Sequence, residues 1–272
     1  MVKGGKQVVD DIILNNPIET HPFSVSLISN EETTACGVAH RRLVENEENE
    51  IFLDFMIPAL QNHHISLENI ERRKDLLRSL RIANASISPS PFPKNEKTQK
   101  GNFAEIFLAE YLQSTTEAQI PIYKLRYNPN VEQSMKGDDV LLFDMDSDPV
   151  RIIVGEAKFR GTPAKQAVID TVDGLVRSHT TGLPISLMFV ADRLFEEGKI
   201  DMAVKVQNCA ILFVTNQLRI DYVGLLISDK NVGNSVNMHA TNNLHNLLMI
   251  SLGFQSPETI VQKAFARLAG EL

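Results

Sequence analysis

Apolar and polar residues alternate along Phe23-Ser24-Val25-Ser26-Leu27-Ile28, a period of two that predicts a strand. The pattern then lengthens to a helical period over Ile51–His64 and again over Ile65–Ala83, where Leu67, Ile70, Leu76, Leu77 and Leu80 are spaced to share a face. Between strand and helices, the acidic run Glu45-Asn46-Glu47-Glu48-Asn49-Glu50 reads as a solvated loop. Ser86 to Lys100 is the clearest punctuation, because Ser88-Pro89-Ser90-Pro91-Phe92-Pro93 cannot continue a helix and polar residues follow. It divides the chain into an N-terminal α+β region, residues 1–90, expected to contact a partner, and a second domain over 91–272.

Gly101–Gln113 is a helix apolar almost all round apart from Asn102, Glu105 and Glu110. Strands are predicted over Ile120–Tyr127, Val140–Met145 and Arg151–Lys158, and the turn Asp144-Met145-Asp146-Ser147-Asp148-Pro149 joins the last two as a hairpin. Thr162-Pro163 has the start chemistry of a helix from Ala164 to about Ser178. A further helix is predicted over Pro184–Val206, strands over Cys209–Val214 and Tyr222–Ile227, and a terminal helix from Ser256-Pro257-Glu258 to Ala269.

The composition of the 272 residues, 43% hydrophobic and 22% charged, is that of a globular chain with a sizeable core. No stretch approaches ~20 apolar residues, and Met1-Val2-Lys3-Gly4-Gly5-Lys6 leads to Asp10-Asp11 without a secretory apolar segment, so a cytoplasmic location is expected. Cys36 and Cys209 are too few for a thiolate zinc site or a disulfide framework and are expected to be buried or half-buried thiols. The net charge of −7 argues against a chain that wraps nucleic acid by its own electrostatics, so a DNA substrate would have to be delivered with help.

The chemistry concentrates in three short segments. Glu156-Ala157-Lys158 ends the apolar run Ile152-Ile153-Val154-Gly155, and on a strand Glu156 and Lys158 point to the same face. Gly137-Asp138-Asp139 precedes the hairpin's first strand and can bring an aspartate beside them. Glu105 shares its helical face with Leu108, Ala109 and Leu112, an environment in which a carboxylate requires a cation or a metal-bound water. Carboxylates on a helix and two strands, with one lysine, are what metal-assisted phosphodiester hydrolysis uses. Elsewhere, adjacent His63-His64 cannot share a metal from one helix, and Asp144, Asp146 and Asp148 lack the glycine and distal glutamate of a calcium loop. A phosphate-binding glycine loop and a Gly-x-Ser-x-Gly elbow are both absent from the sequence.

In order and residue type these segments resemble the PD-(D/E)XK nuclease superfamily. The resemblance implies an α/β fold with a central mixed sheet flanked by helices, built on an α-β-β-β-α-β core. It implies catalytic roles for Glu105, Asp139, Glu156 and Lys158. It also implies a Mg²⁺ or Mn²⁺ site made from Glu105, Asp139, Glu156 and the main-chain carbonyl of Ala157. Asp139 is favoured over Asp138 because Gly-x-Asp before a hydrophobic strand is the commoner form; the proline of the oldest form is missing. Gln166 is similar to a glutamine of some exonuclease-like branches, without the tyrosine that follows it there. More narrowly, Lys100-Gly101-Asn102-Phe103-Ala104-Glu105, Lys136-Gly137-Asp138-Asp139 and Val154-Gly155-Glu156-Ala157-Lys158-Phe159 resemble the HamA family, nuclease subunits of Hachiman antiphage defence. That resemblance implies a metal-dependent deoxyribonuclease acting on DNA with a HamB-like superfamily 2 helicase. An inactive nuclease fold serving as a DNA-binding adaptor and a stand-alone restriction endonuclease are the rival readings.

Overall fold

The computed structural model describes residues 14–46, 49–79 and 90–270. In chain order these form α1 (Pro22–Ser26), β1 (Leu27–Thr33), β2 (Ala39–Glu45), α2 (Asn49–His64), α3 (Leu67–Ser79), α4 (Glu96–Thr115), a 3₁₀ turn (Lys124–Tyr127), β3 (Val140–Asp144) and β4 (Val150–Phe159). There follow α5 (Lys165–Thr180), α6 (Leu187–Glu196), α7 (Ile200–Val214), β5 (Leu218–Asp229), α8 (Val232–His239), β6 (Leu247–Phe254) and α9 (Pro257–Gly270).

The six strands make one mixed sheet in the order β1-β2-β6-β5-β4-β3. The hairpins β1–β2 and β3–β4 are antiparallel and form its two edges, while β2, β6, β5 and β4 run parallel to their neighbours. Parallel central strands need apolar residues on both faces. Accordingly every residue of β6, from Leu247 to Phe254, is buried. One face packs on α2, α4 and α9 through Phe52, Phe103, Phe107 and Phe265, and the other on α5 to α8 through Val168, Val172, Leu194, Val206 and Val236. Strands from residues 27–45 thus share a sheet with the strands that carry Glu156 and Lys158.

The predicted α/β class with helices on both faces is what the structure has, and the helices over 51–64, 65–83 and 256–269 and the strands over 140–145, 151–158 and 222–227 lie where expected within a few residues. Leu80, the Leu77 side chain, residues 86–89 of the Ser86–Lys100 boundary and Glu47-Glu48 fall outside the described part. Other expectations need correction. Phe23–Ser26 is helical, since Pro22 stands in the first turn and His21 Nδ1 accepts the Phe23 amide at 3.1 Å. The helix carrying Glu105 starts earlier than Gly101, because Asn95 Oδ1 caps the amides of Lys97 and Thr98 and converts the end of the predicted boundary into helix. Leu67 and Leu76, placed on an apolar face, are exposed, and Ile70 carries the burial of α3.

Ile120–Tyr127 is not a strand. Pro121 removes a ladder donor, Gln119 alone bridges to Phe143, and the chain then turns through the 3₁₀ segment. Of the three strands in the implied α-β-β-β-α-β core, the first is therefore reduced to a bridge. The single helix expected over Pro184–Val206 is two, broken where Gly198 adopts φ +74°, a conformation available to glycine. Cys209–Val214 is the end of α7, a short apolar run whose strand and helix readings differ only in tertiary context. Thr162 does not cap α5, whose N-cap is Ala164. Strands β2 and β6 and helix α8 were not anticipated. Cys209 is buried as expected, whereas Cys36 is exposed.

Candidate active site

Strand β3 is shorter than its partner. It pairs with β4 only from Val140 opposite Gly155 to Asp144 opposite Arg151, so Glu156, Ala157, Lys158 and Phe159 run past its beginning. The free edge so created is met by the residue just before β3: Asp139 Oδ2 accepts the Ala157 main-chain amide at 2.9 Å. An aspartate is thereby fixed beside the Glu-x-Lys segment by main-chain geometry.

Strand alternation sends Gly155 and Ala157 toward α4, and Glu156 and Lys158 toward α5. The packing agrees. A Cβ on Gly155 would lie 2.8 Å from Leu108 Cδ2 of α4, and a Cβ on Gly174 of α5 would lie 2.7 Å from Glu156 Cδ. Helix α5 can therefore lie against the Glu156 carboxyl because residue 174 has no side chain. Lys158 Nζ pairs with Glu156 Oε1 on the same face.

Asp138 and Asp139 divide their tasks. Asp138 is buried, accepting Ser178 Oγ at 2.7 Å on one oxygen and the Ser186 amide at 2.9 Å on the other, while its own amide donates to Ser186 Oγ at 2.9 Å. It ties the loop before β3 to α5 and to the start of α6. Gly137, at φ +107°, has Ser186 Oγ only 2.6 Å from where a Cβ would sit. Asp139 is left facing the open strand edge.

Glu105, on α4, is buried, as its apolar face predicted, and the cation it requires is Lys124 of the 3₁₀ turn. Lys124 Nζ lies 3.2 Å from Glu105 Oε2 and donates to the Asp138 main-chain oxygen at 2.8 Å. Sequence reasoning missed Lys124, Gly174, Ser178 and Ser186. The buried Glu105 announced that a cation was needed, but the assignment of residues 120–127 to a strand hid which one.

The groups are electrostatically coupled. Burial pushes the Glu105 carboxyl up to about 7, opposed by Lys124 and reinforced by Asp139 and Glu156. Burial also raises Glu156, with Asp139 adding and Lys158 opposing. Burial alone would lower Lys124 and Lys158, but the neighbouring carboxylates outweigh it and hold both ammoniums above their ordinary range.

Among the described residues no three His, Cys, Asp or Glu side chains form a ready-made metal cage. The donors present are all oxygens: the Asp139, Glu156 and Glu105 carboxylates and the main-chain carbonyl beside them. Glu105 Oε2 is buried without a hydrogen bond of good geometry, its ion pair with Lys124 notwithstanding. This set fits a hard divalent ion such as Mg²⁺ or Mn²⁺ and does not fit a soft one.

Other predicted features are structural. His63 binds Glu110 at 2.7 Å, and His64 binds the Leu60 carbonyl at 2.7 Å and Asn102 at 2.9 Å, so the two rings serve separate partners. Gln166 donates to Asp170 at 2.8 Å on the exposed side of α5. Asp144 ends β3, and Asp146 and Asp148 belong to the turn that follows it.

The HamA family model matches residues 16–268, which includes all four predicted catalytic positions. The chain belongs to the HamA family. It is 35% identical over 263 residues to the Hachiman protein HamA of Bacillus cereus, an alignment that covers 95% of this chain and 94% of that relative. Members of the HamA family thus match this chain across the whole sheet, from β1 to α9, and not merely over the segments bearing the carboxylates. Among the described residues no helix is long and apolar enough to cross a membrane.

Proposed function

We propose that this chain is a metal-dependent deoxyribonuclease of the PD-(D/E)XK type, the effector of a Hachiman antiphage defence complex that works with a HamB-like superfamily 2 helicase. The observation that carries the reading is the bond from the Ala157 amide to Asp139, which sets a carboxylate next to Glu156 and Lys158 at an unpaired strand edge. Its defence role is supported by the relative, whose name places it in Hachiman, and the helicase partner is what the family resemblance implies.

Asp139, Glu156 and the Ala157 carbonyl would hold Mg²⁺ or Mn²⁺, with Glu105 as a further oxygen donor. When bound, the ion supplies a Lewis acid for the phosphate and a water of lowered pKa. Lys158, only 27% exposed and restrained by Glu156, keeps its proton and places a positive charge where a phosphate oxygen gains negative charge during hydrolysis. Glu156 holds that ammonium in place and is itself held by the surface of α5 at Gly174. Asp138 keeps the loop rigid, so that Asp139 keeps its register with β4. The acidic chain relies on its helicase partner for DNA affinity.

The test is DNA degradation in the presence of Mg²⁺ by the chain purified with its helicase. Replacing Glu156→Ala together with Lys158→Ala should abolish it while the fold survives, and retained cleavage in that variant overturns the site assignment. The lack of a ready-made three-residue cage among the described residues favours one alternative, a catalytically silent DNA-binding adaptor. Calorimetric titration with Mn²⁺ separates the two, since an adaptor shows no binding that depends on Asp139 and Glu156.

A further inference from the structure

The three carboxylates of the site are not neutralised alike. Glu156 makes a direct ion pair with the half-buried Lys158, and Glu105 with Lys124, whereas Asp139 accepts the neutral Ala157 amide and meets the two ammoniums only at longer range. The two lysines also differ. Lys158 belongs to the open strand edge and has 27% of its side chain exposed. Lys124 is 15% exposed, and its ammonium is fixed from two sides, by Glu105 and by the Asp138 carbonyl. That carbonyl belongs to a residue whose carboxylate is clamped by Ser178 and Ser186, so the anchor is itself rigid. A buried cation held in this way is a permanent part of the carboxylate cluster.

Resting on the nuclease reading above, we propose that the Lys124 ammonium takes the place of a second metal ion: it neutralises Glu105, so that the site takes one divalent cation, held by Asp139 and Glu156. Two-metal phosphodiesterases use a second ion to balance and orient a second group of carboxylates. Here a lysine from the 3₁₀ turn performs that balancing without exchanging with solvent. Lys124 is accordingly a positioning residue, acting through Glu105. The buried environment supports the assignment, because removing the ammonium would leave Glu105 on an apolar helix face with no cation beside it, a costly state once the carboxyl is ionised and one that a divalent ion would relieve. The sequence asked for a cation beside Glu105, and it lies within the chain.

The test is calorimetric titration of the full chain with Mn²⁺, with melting curves for each variant. The wild type should bind one Mn²⁺, and Lys124→Met should bind a second that disappears again in Lys124→Met/Glu105→Gln. That double variant removes both charges together, leaves no unpaired ion and should bind one Mn²⁺, as the wild type does. Two Mn²⁺ on the wild type, one on a folded Lys124→Met, or loss of the single site in the double variant would each overturn the proposal while leaving a metal-dependent nuclease intact. If Lys124→Met alone does not fold, the wild type and the double variant still decide the question. Wild-type binding that is absent or unaffected by Asp139→Asn contradicts the nuclease reading itself.

Discussion

Asp139 reaches across the open end of the sheet to the amide of Ala157, 2.9 Å away, while its neighbour Asp138 turns into the protein to meet Ser178 and Ser186. Adjacent carboxylates thus have separate surroundings, and the proposed function gives catalysis to Asp139 and architecture to Asp138. Asp138→Asn leaves buried donors poorly matched and should cost about 2 kcal/mol in urea unfolding. Asp139→Asn should leave the urea midpoint almost unchanged and lower cleavage by about 100-fold or more. Exchanged outcomes for the two variants would reverse the assignment.

Gly174 tests the contact between α5 and Glu156. Alanine in place of a helical glycine ordinarily stabilises a helix by about 0.5–1 kcal/mol. Here its Cβ would fall 2.7 Å from Glu156 Cδ, so the carboxyl group must shift. Gly174→Ala should lower the cleavage rate at least about tenfold with at most a small change in melting temperature. Wild-type rates would show that the Glu156 position is not critical.

The site should leave a signature in pH-dependent stability. The metal-free folded state holds the Glu105 proton up to about pH 7, above the usual carboxylate range, so this group's contribution to stability falls as pH rises from about 4.5 toward 7. Burial acts oppositely on His40 and His64, which are lowered to about 4 and therefore destabilise the fold as pH falls below about 6.5. The two slopes oppose each other over much of one window, so the informative quantity is the difference between wild type and Glu105→Gln. Measured by urea unfolding in chelator, the wild type should lose stability relative to Glu105→Gln as pH rises from 5 to 7. A pH-independent difference would contradict the burial of an ionisable Glu105.

Thiol labelling checks the packing of α7 independently. Cys36 is exposed, whereas Cys209 is buried and its thiol is pushed up to about 11 by burial. A maleimide reagent at pH 7 should modify one thiol in the native chain and both in denaturant. Rapid native modification of Cys209 would show that α7 does not pack as described.

The surroundings of the candidate residues are more legible in the sequence than the strands around them. Glu156 and Lys158 follow from strand periodicity, and the need of Glu105 for a cation follows from the cost of a carboxylate among Leu108, Ala109 and Leu112. What local pattern could not supply was tertiary. Lys124 enters the site only because Pro121 ends the pairing begun at Gln119, and Ile120–Tyr127 otherwise has the composition of a strand. Cys209–Val214 and Leu247–Phe254 are both apolar runs, one the end of a helix and the other a central parallel strand, and the difference lies in what packs on each side. In the sequence only the superfamily resemblance separates Asp139 from Asp138, and the two become physically distinct once Ser178 and Ser186, about 40 and 48 positions away, close on Asp138.

The most direct test is to locate the metal itself. Crystals of the chain soaked in Mn²⁺ should give an anomalous peak coordinated by the Asp139 and Glu156 carboxylates at the open end of β4. A structure with manganese bound elsewhere, or with neither carboxylate among its ligands, would contradict the account.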